Sequence, residues 1–192
     1  MTERDLHQPP SAADQAYSLS QVLRRAAYQL AAIRAASAGM LFGPTLDDRV
    51  AMLERAREEL TQLEKSEAVY AELTGRSLLE DAEALLGQLP LPTCWRDASL
   101  TRLLVCLSAR VALEQHAADD CDVPALACEI EHVNAAYAAL RELGDIARGD
   151  IDMASTLAAH WLEVALQALD DEAARARYLS ALEREFGLRL PN

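Results

Sequence analysis

Apolar residues recur every three or four positions along most of the chain, which is the period of an amphipathic α-helix. No stretch alternates apolar and polar residues as a half-buried strand would. The pattern predicts seven helical segments, at about residues 18–38, 45–73, 77–88, 98–118, 124–143, 152–169 and 171–187. We therefore predict an all-α fold, with residues 1–15 as a flexible N-terminal tail and residues 16–192 as one helical domain.

Helix boundaries are marked by local signals. Ser18 or Ser20 is a candidate cap for the first helix, and Gly39 and Gly43 are expected to end it by adopting unusual backbone angles. Thr45, followed by two acids, is typical of the start of the second helix. The apolar residues of that helix that we expect to face the core are Leu46, Val50, Leu53, Leu60 and Leu63.

The charge of the chain narrows the classes of partner. The formal net charge is -13, which opposes an extended surface for phosphate backbones or anionic lipid. No apolar run reaches the roughly 20 residues that a membrane-spanning helix needs, and the N-terminal segment carries no apolar signal core. We expect a cytoplasmic protein that binds neither nucleic acid nor membranes.

The cysteines and one histidine have structural interpretations. None of the four cysteines belongs to a C-x-x-C motif, so we expect reduced thiols, with Cys106 as a small core residue. His160 stands beside Trp161 and is expected to pack in the interior rather than to catalyse.

Two polar residues interrupt the apolar stripe of the helix at 124–143. Glu129 and His132 share a face with Ala136 and Leu140. An inward Glu-x-x-His pair is the contribution of one helix to the di-metal site of carboxylate four-helix bundles, in which a second helix gives another such pair and two more helices each give a Glu. The stretch therefore predicts either a metal site or a buried polar pair.

The other helices match that ligand pattern incompletely. Glu59 lies on the inner face of the second helix, but Gln62 replaces the expected histidine, and an amide oxygen is a weak ligand for iron or zinc. On the first helix Gln29 stands where a carboxylate is expected. On the helix at 98–118, the position level with Glu129 and His132 is occupied by Leu107, and Glu114 is two turns further along.

Three interpretations of these residues stay open. In the first, Glu59, Glu129 and His132 form a buried polar cluster with Gln29 and Gln62, in which His132 and Gln62 bond the carboxylates and no metal is needed. Without metal, both carboxylates are expected to have raised pKa values. In the others, Glu59, Glu129 and His132 hold one divalent metal ion, or take part in a full di-iron centre.

Two patches of sequence resemble a known family. The run GPTLDDRVAMLERAREELTQLE is similar to the start of the second helix in the phenylacetic acid catabolism family of ferritin-like proteins, through Pro44, Leu46, Asp47, Asp48, Glu58 and Gln62. A second patch matches the spacing of the later helices through His132, Leu143, Gly144, Asp152 and Trp161. The resemblance covers about residues 17–168 and implies a ferritin-like four-helix bundle with additional C-terminal helices.

The family includes a catalytic and a structural subunit of phenylacetyl-CoA epoxidase, and this chain resembles the structural one. Gln29, Gln62 and Leu107 stand at positions where a complete di-iron enzyme carries ligands. The resemblance implies an accessory subunit with a degenerate di-metal site that supports a partner oxygenase. The alternative is a metal-binding oxidoreductase using Glu59, Glu129 and His132. A third possibility, a bundle that binds a small molecule, requires an apolar cavity.

The Ala-rich helices carry more than one apolar face, which indicates burial against another chain. We expect a homodimer, or a heteromer with another ferritin-like subunit.

Overall fold

Seven α-helices and no strand occur in the residues that the computed structural model describes, which are 12–87, 89–116, 123–143, 155–169 and 171–188. The helices are α1 (Ala12–Phe42), α2 (Leu46–Thr74), α3 (Leu78–Leu86), α4 (Trp95–His116), α5 (Val123–Glu142), α6 (Thr156–Gln167) and α7 (Glu172–Arg184). The predicted all-α class is confirmed. None of the described helices is long and apolar enough to cross a membrane.

The helices pack around α1 and α4. Helix α1 contacts α2, α3, α4 and α6, and α4 also contacts α5, α6 and α7. The centre of the core contains fully buried side chains from α4, α6 and α7, including Leu103, Leu104, Leu107, Trp161 and Tyr178. Because α4 is covered on several sides, it carries the longest run of buried residues, as the LLVCL stretch in the sequence suggests.

Local capping signals set both ends of α2, and the helix begins after Thr45 as predicted. The Thr45 hydroxyl accepts a hydrogen bond from the backbone N–H of Asp48, and the Asp48 carboxylate accepts one from the backbone N–H of Thr45, at 3.1 Å each. This reciprocal pair satisfies two N–H groups that the first turn leaves without helical partners. At the other end Gly75 adopts a left-handed conformation, with φ of 69°, that a side chain would disfavour.

Helix α1 is longer than predicted at both ends. It begins at Ala12, inside the segment expected to be a tail, so Ser18 and Ser20 lie within the helix and do not cap it. Residues 1–11 of the predicted tail lie outside the described residues. The helix also continues through Gly39 to Phe42, and neither Gly39 nor Gly43 has a positive φ.

The role of Gly39 is close packing of α1 on α2. A Cβ atom at this position would lie 2.8 Å from Cγ of Met52, which is closer than van der Waals contact permits. A side chain at this position would force the buried Met52 side chain to move, so glycine acts here through its missing side chain and not through its conformational freedom. Local reasoning could not distinguish these two uses of glycine.

The face of α2 that meets the core was predicted wrongly in part. Only Leu63 of the five expected core residues is buried, and the exposed ones are Leu46, Val50, Leu53 and Leu60. The buried side of α2 consists of Met52, Arg55, Ala56, Glu59, Leu63 and Tyr70. The helix thus carries two stripes about 120° apart at 100° per residue, and periodicity alone does not decide which one faces inward.

The connection from α3 to α4 is not helical in its described residues, as its prolines predict. The buried indole N–H of Trp161 donates to the backbone oxygen of Pro90 at 2.9 Å, which fixes this connection to α6. On α7, the buried Tyr178 hydroxyl donates to the backbone oxygen of Leu104 at 3.0 Å. Both bonds give a polar atom of a core side chain a partner, as burial requires.

Candidate functional site

A cluster of buried charges joins α2 to α5. Glu59 on α2 and Glu129 on α5 face each other, as the sequence predicts for both, and Arg55 lies one helical turn before Glu59. Glu59 and Arg55 are each only 7% exposed, and Glu129 is 8% exposed. Buried ions of this kind are stable only with close partners of opposite charge.

The guanidinium of Arg55 connects the two carboxylates. Its Nη2 atom lies 2.5 Å from Oε1 of Glu59 and 2.7 Å from Oε1 of Glu129. Nη2 donates a hydrogen bond to Glu129, and its contact with Glu59 is an ion pair. Nη1 is 4.0 Å from the exposed Glu58, a much looser contact. One buried positive charge therefore stands between two buried negative charges.

His132 lies at the edge of this cluster. Its Nδ1 atom is 3.7 Å from Oε2 of Glu129, and both ring nitrogens are 3.9 Å from the Sγ atom of Cys128. The distance to Glu129 is longer than an ordinary hydrogen bond, so His132 contacts that carboxylate only loosely. The structure therefore brings Glu59, Glu129 and His132 together, with Arg55 between the carboxylates.

The other candidate ligand positions fall in different surroundings. Gln29 is only 3% exposed, and its Oε1 atom has no hydrogen-bond partner among the described residues. Gln62 is exposed, and Arg55 occupies the bonding position at Glu59 that we expected Gln62 to take. Leu107 belongs to the apolar core. Glu114 is exposed and pairs with Arg110 on its own helix, with Nε and Oε1 3.2 Å apart.

The two buried carboxyl groups respond differently to the cluster. Burial raises the pKa of Glu59 above its ordinary value, and the Arg55 charge offsets this only in part. Burial also opposes ionisation of Glu129, but His132 and Arg55 together outweigh it and lower the pKa of Glu129. The expectation of raised pKa values is thus confirmed for Glu59 and wrong for Glu129.

A cavity of about 570 Å³ adjoins the cluster. Its wall is formed by α1, α2, α4 and α5 and by the end of α6, and includes Gln29, Arg55, Glu59, Ala109, Ala112 and Glu129. Several buried polar atoms of residues on this wall have no hydrogen-bond partner among the described residues: the Tyr28 hydroxyl, Gln29 Oε1, Arg55 Nε and Glu129 Oε2. A cavity is therefore present, but its lining is mixed polar and apolar, whereas the small-molecule interpretation predicted an apolar one.

These residues do not fit a di-iron centre. A metal ion between Glu59 and Glu129 would have to occupy the space that the Arg55 guanidinium fills, and the two positive charges would repel. The other positions at which a di-iron bundle carries ligands hold neutral residues, namely Gln29, Gln62 and Leu107. Among the residues that the structure describes, no group of three or more His, Cys, Asp or Glu side chains is arranged to hold a metal ion.

Sequence reasoning missed Arg55, although a signal was present. Met52, Arg55, Glu59 and Leu63 are spaced by three and four positions, so Arg55 belongs to the same stripe as Glu59. An Arg one helical turn from a Glu on the same inner face predicts a buried ion pair. We expected carboxylates, imidazole and amides at this site and did not consider a cation supplied by the chain.

The remaining side-chain predictions have mixed outcomes. Cys94, Cys106 and Cys128 are free thiols as expected, while Cys121 lies outside the described residues. Cys106 is buried in the core, and burial raises the pKa of its thiol to about 12. The prediction that His160 packs in the interior is wrong, because it is exposed and its Nδ1 lies 2.6 Å from the backbone oxygen of Thr156.

No protein-family model matches the chain, and neither a curated protein nor a solved structure is significantly similar to it. The proposals for function therefore depend on the geometry of the site and on the sequence resemblance.

Proposed function

We propose that this protein is a cytoplasmic accessory subunit with a ferritin-like bundle, in which an arginine has replaced the metal ions, and that it supports a partner oxygenase through protein contacts. The observation that carries the proposal is the position of Arg55, whose Nη2 bonds Glu59 and Glu129 together. In a di-metal bundle, carboxylates from facing helices bridge positive ions at this level. Here a guanidinium supplies the positive charge.

A guanidinium is a permanent substitute for a metal ion. It stays protonated at every accessible pH, so the two carboxylates always have a cation beside them. It has no open coordination position and no redox chemistry, so it cannot activate oxygen. To bind a metal at Glu59 and Glu129, the protein would have to break the ion pair of Arg55 with Glu59 and its charge-assisted hydrogen bond with Glu129, and move Arg55 out of the interior.

The neutral residues around the cluster support the same proposal. A di-iron pair requires several anionic ligands to balance its charge. Gln29 and Gln62 contribute amides, and Leu107 contributes no polar atom. Arg55 offsets part of the negative charge of Glu59 and Glu129 without a metal. We therefore assign the redox step to the partner and no catalytic residue to this chain.

The outer face of α2 supports a role in protein contact. Leu46, Val50, Leu53 and Leu60 lie along one stripe and are all exposed. Exposed apolar side chains that follow one another along a helix are typical of an interaction surface. We propose that this stripe contacts another ferritin-like subunit. The alternative is that a second copy of this chain contacts the same stripe, and the co-purification experiment below distinguishes the two partners.

Metal analysis tests the absence of a redox centre. Wild-type protein is reconstituted with ferrous iron under argon, desalted and measured by plasma mass spectrometry, beside Arg55→Ala and the exposed control Arg57→Ala. We expect no stoichiometric iron in the wild type or in Arg57→Ala. Iron retained only by Arg55→Ala would show that the guanidinium excludes it. Stoichiometric iron in the wild type, lost in Glu129→Gln, would overturn the proposal in favour of the oxidoreductase.

A contact-surface variant tests the accessory role. Tagged wild type and a Leu53→Lys, Leu60→Lys double variant are purified from the native host, and the co-purified chains are identified and quantified. Arg57→Ala serves as a control on the same exposed side of α2. We expect the wild type and the control to retain a helical-bundle protein with a complete set of Glu and Glu-x-x-His ligands, and the double variant to lose it. A wild type that recovers only copies of itself would reject the accessory role.

A further inference from the structure

The cavity beside the Arg55 cluster has two chemically different regions. One part of its wall is made of small or apolar side chains of α4, namely Ala109, Ala112 and Leu113. The other part is made of polar residues of α1, α2 and α5, including Gln29, Glu59 and Glu129. Its volume of about 570 Å³ falls within the range of small-molecule sites in proteins. The cavity therefore suits an amphipathic occupant.

The polar region contains buried hydrogen-bond acceptors that lack donors. Gln29 Oε1 and Glu129 Oε2 are buried acceptors that have no partner among the described residues, and the buried Tyr28 hydroxyl also has none. Gln29 and Glu129 are 3% and 8% exposed, so bulk water does not solvate them freely. A buried acceptor without a donor destabilises the protein, so a ligand that supplied the donors would recover that free energy on binding.

The local charge selects the kind of donor. Within the cluster, Glu59 and Glu129 carry two negative charges against the single positive charge of Arg55. The other charged residues of the wall, Arg24, Arg25 and Glu58, are half-buried or exposed. The most buried part of the cavity therefore carries a net negative charge, which favours a cation over an anion. A primary ammonium group carries three N–H donors and no acceptor, which matches three unpaired oxygen atoms on Tyr28, Gln29 and Glu129.

We propose that this cavity binds a small primary amine, whose ammonium group is held by Gln29 and Glu129 and whose apolar body lies against Ala109, Ala112 and Leu113 of α4. The site goes beyond the accessory role and does not depend on it, because amine binding requires neither a metal nor a partner subunit. The metal analysis above and the binding experiment below can therefore succeed or fail independently.

Three probes of nearly equal size isolate the ammonium group. Benzylamine, benzyl alcohol and toluene share an aromatic body and differ in whether they carry a charged donor, a neutral donor or none. Binding to the full-length protein is measured by ligand-observed NMR and calorimetry. We expect benzylamine to bind at least about tenfold more tightly than toluene, since only benzylamine can donate charged hydrogen bonds to the buried acceptors. Benzyl alcohol should fall between them.

Two variants assign the binding to this cavity. Gln29→Met keeps the size of the side chain and removes the unpaired acceptor, so it should weaken benzylamine roughly tenfold and leave toluene unchanged. The same variant should be no less stable than the wild type, because a buried polar atom without a partner has been removed. Ala112→Phe places a ring in the cavity and should weaken both ligands.

A cysteine on the cavity wall gives an independent readout. Cys128 lines the cavity, whereas Cys94 is exposed elsewhere on the protein. Benzylamine should slow alkylation of Cys128 and leave that of Cys94 unchanged, as measured by peptide mass spectrometry. Equal affinities for benzylamine and toluene, no binding of any probe, or binding that neither variant alters would overturn the proposal. Loss of benzylamine binding in both variants, with protection of Cys128, would support it.

Discussion

Arg55 and Glu129 lie 74 positions apart in the sequence, yet Nη2 of the one donates to Oε1 of the other across a distance of 2.7 Å in the interior of the protein. This bond links α2 to α5, two helices whose other contacts are few. The same nitrogen also forms an ion pair with Glu59, so a single side chain contacts both carboxylates. The stability of the region where α2 meets α5 should therefore depend on Arg55.

Removing the guanidinium should be strongly destabilising. Arg55→Ala leaves Glu59 and Glu129 buried without their cation, and breaking a buried ion pair in this way costs about 3–5 kcal/mol. Arg57→Ala, an exposed arginine two positions along the same helix, should change the free energy of unfolding by less than about 0.5 kcal/mol. Urea unfolding followed by circular dichroism measures both. Similar losses in the two variants would show that the buried ion pairs do not hold the fold together.

Replacing Glu129 by its amide should produce a stability loss that depends on pH. The folded-state pKa of Glu129 is lowered below its ordinary value of 4.5, so between those two values the unfolded state binds more protons than the folded state. The wild type therefore gains stability as pH rises through this window and loses it as pH falls. Glu129→Gln should be less stable than the wild type at neutral pH, and the difference should shrink below pH 4.5. Unfolding at several pH values tests this.

The corresponding change at Glu59 should have the opposite pH dependence. The folded-state pKa of Glu59 is raised above its ordinary value of 4.5. Between 4.5 and the raised value, the folded state therefore binds more protons than the unfolded state. The wild type loses stability as pH rises through this window. Relative to the wild type, Glu59→Gln should therefore become more stable as pH increases. Parallel pH profiles for Glu59→Gln and Glu129→Gln would contradict the assignment of opposite pKa shifts.

Adding a methyl group at Gly39 should destabilise the contact between α1 and α2. Alanine normally stabilises the interior of a helix by about 1 kcal/mol over glycine, but here its Cβ would lie 2.8 Å from Cγ of the buried Met52. Overpacking of this kind costs about 1–3 kcal/mol, so we expect a net loss. In a Met52→Ala background the obstruction is gone and Gly39→Ala should become stabilising. Thermal or urea unfolding of the four proteins forms the double-mutant cycle.

The candidate site was only half predictable. Glu59 and Glu129 were recognised because each interrupts an apolar stripe, which is a property of one helix and can be read from spacing. Their proximity followed only from the assumption that the helices pack as in a di-metal bundle. The partner of the two carboxylates was missed, since Arg55 can extend to solvent or turn inward and the spacing fits both.

The sequence by itself determined the helices and several of their ends. Caps such as Thr45 with Asp48, the left-handed Gly75 and the prolines between α3 and α4 act within a few residues, so their effects can be read without knowing the rest of the fold. Only the tertiary structure decided which stripe of α2 faces inward and which cation neutralises the buried carboxylates. Both choices depend on groups distant in sequence, because burial and charge pairing are determined by what lies opposite in space.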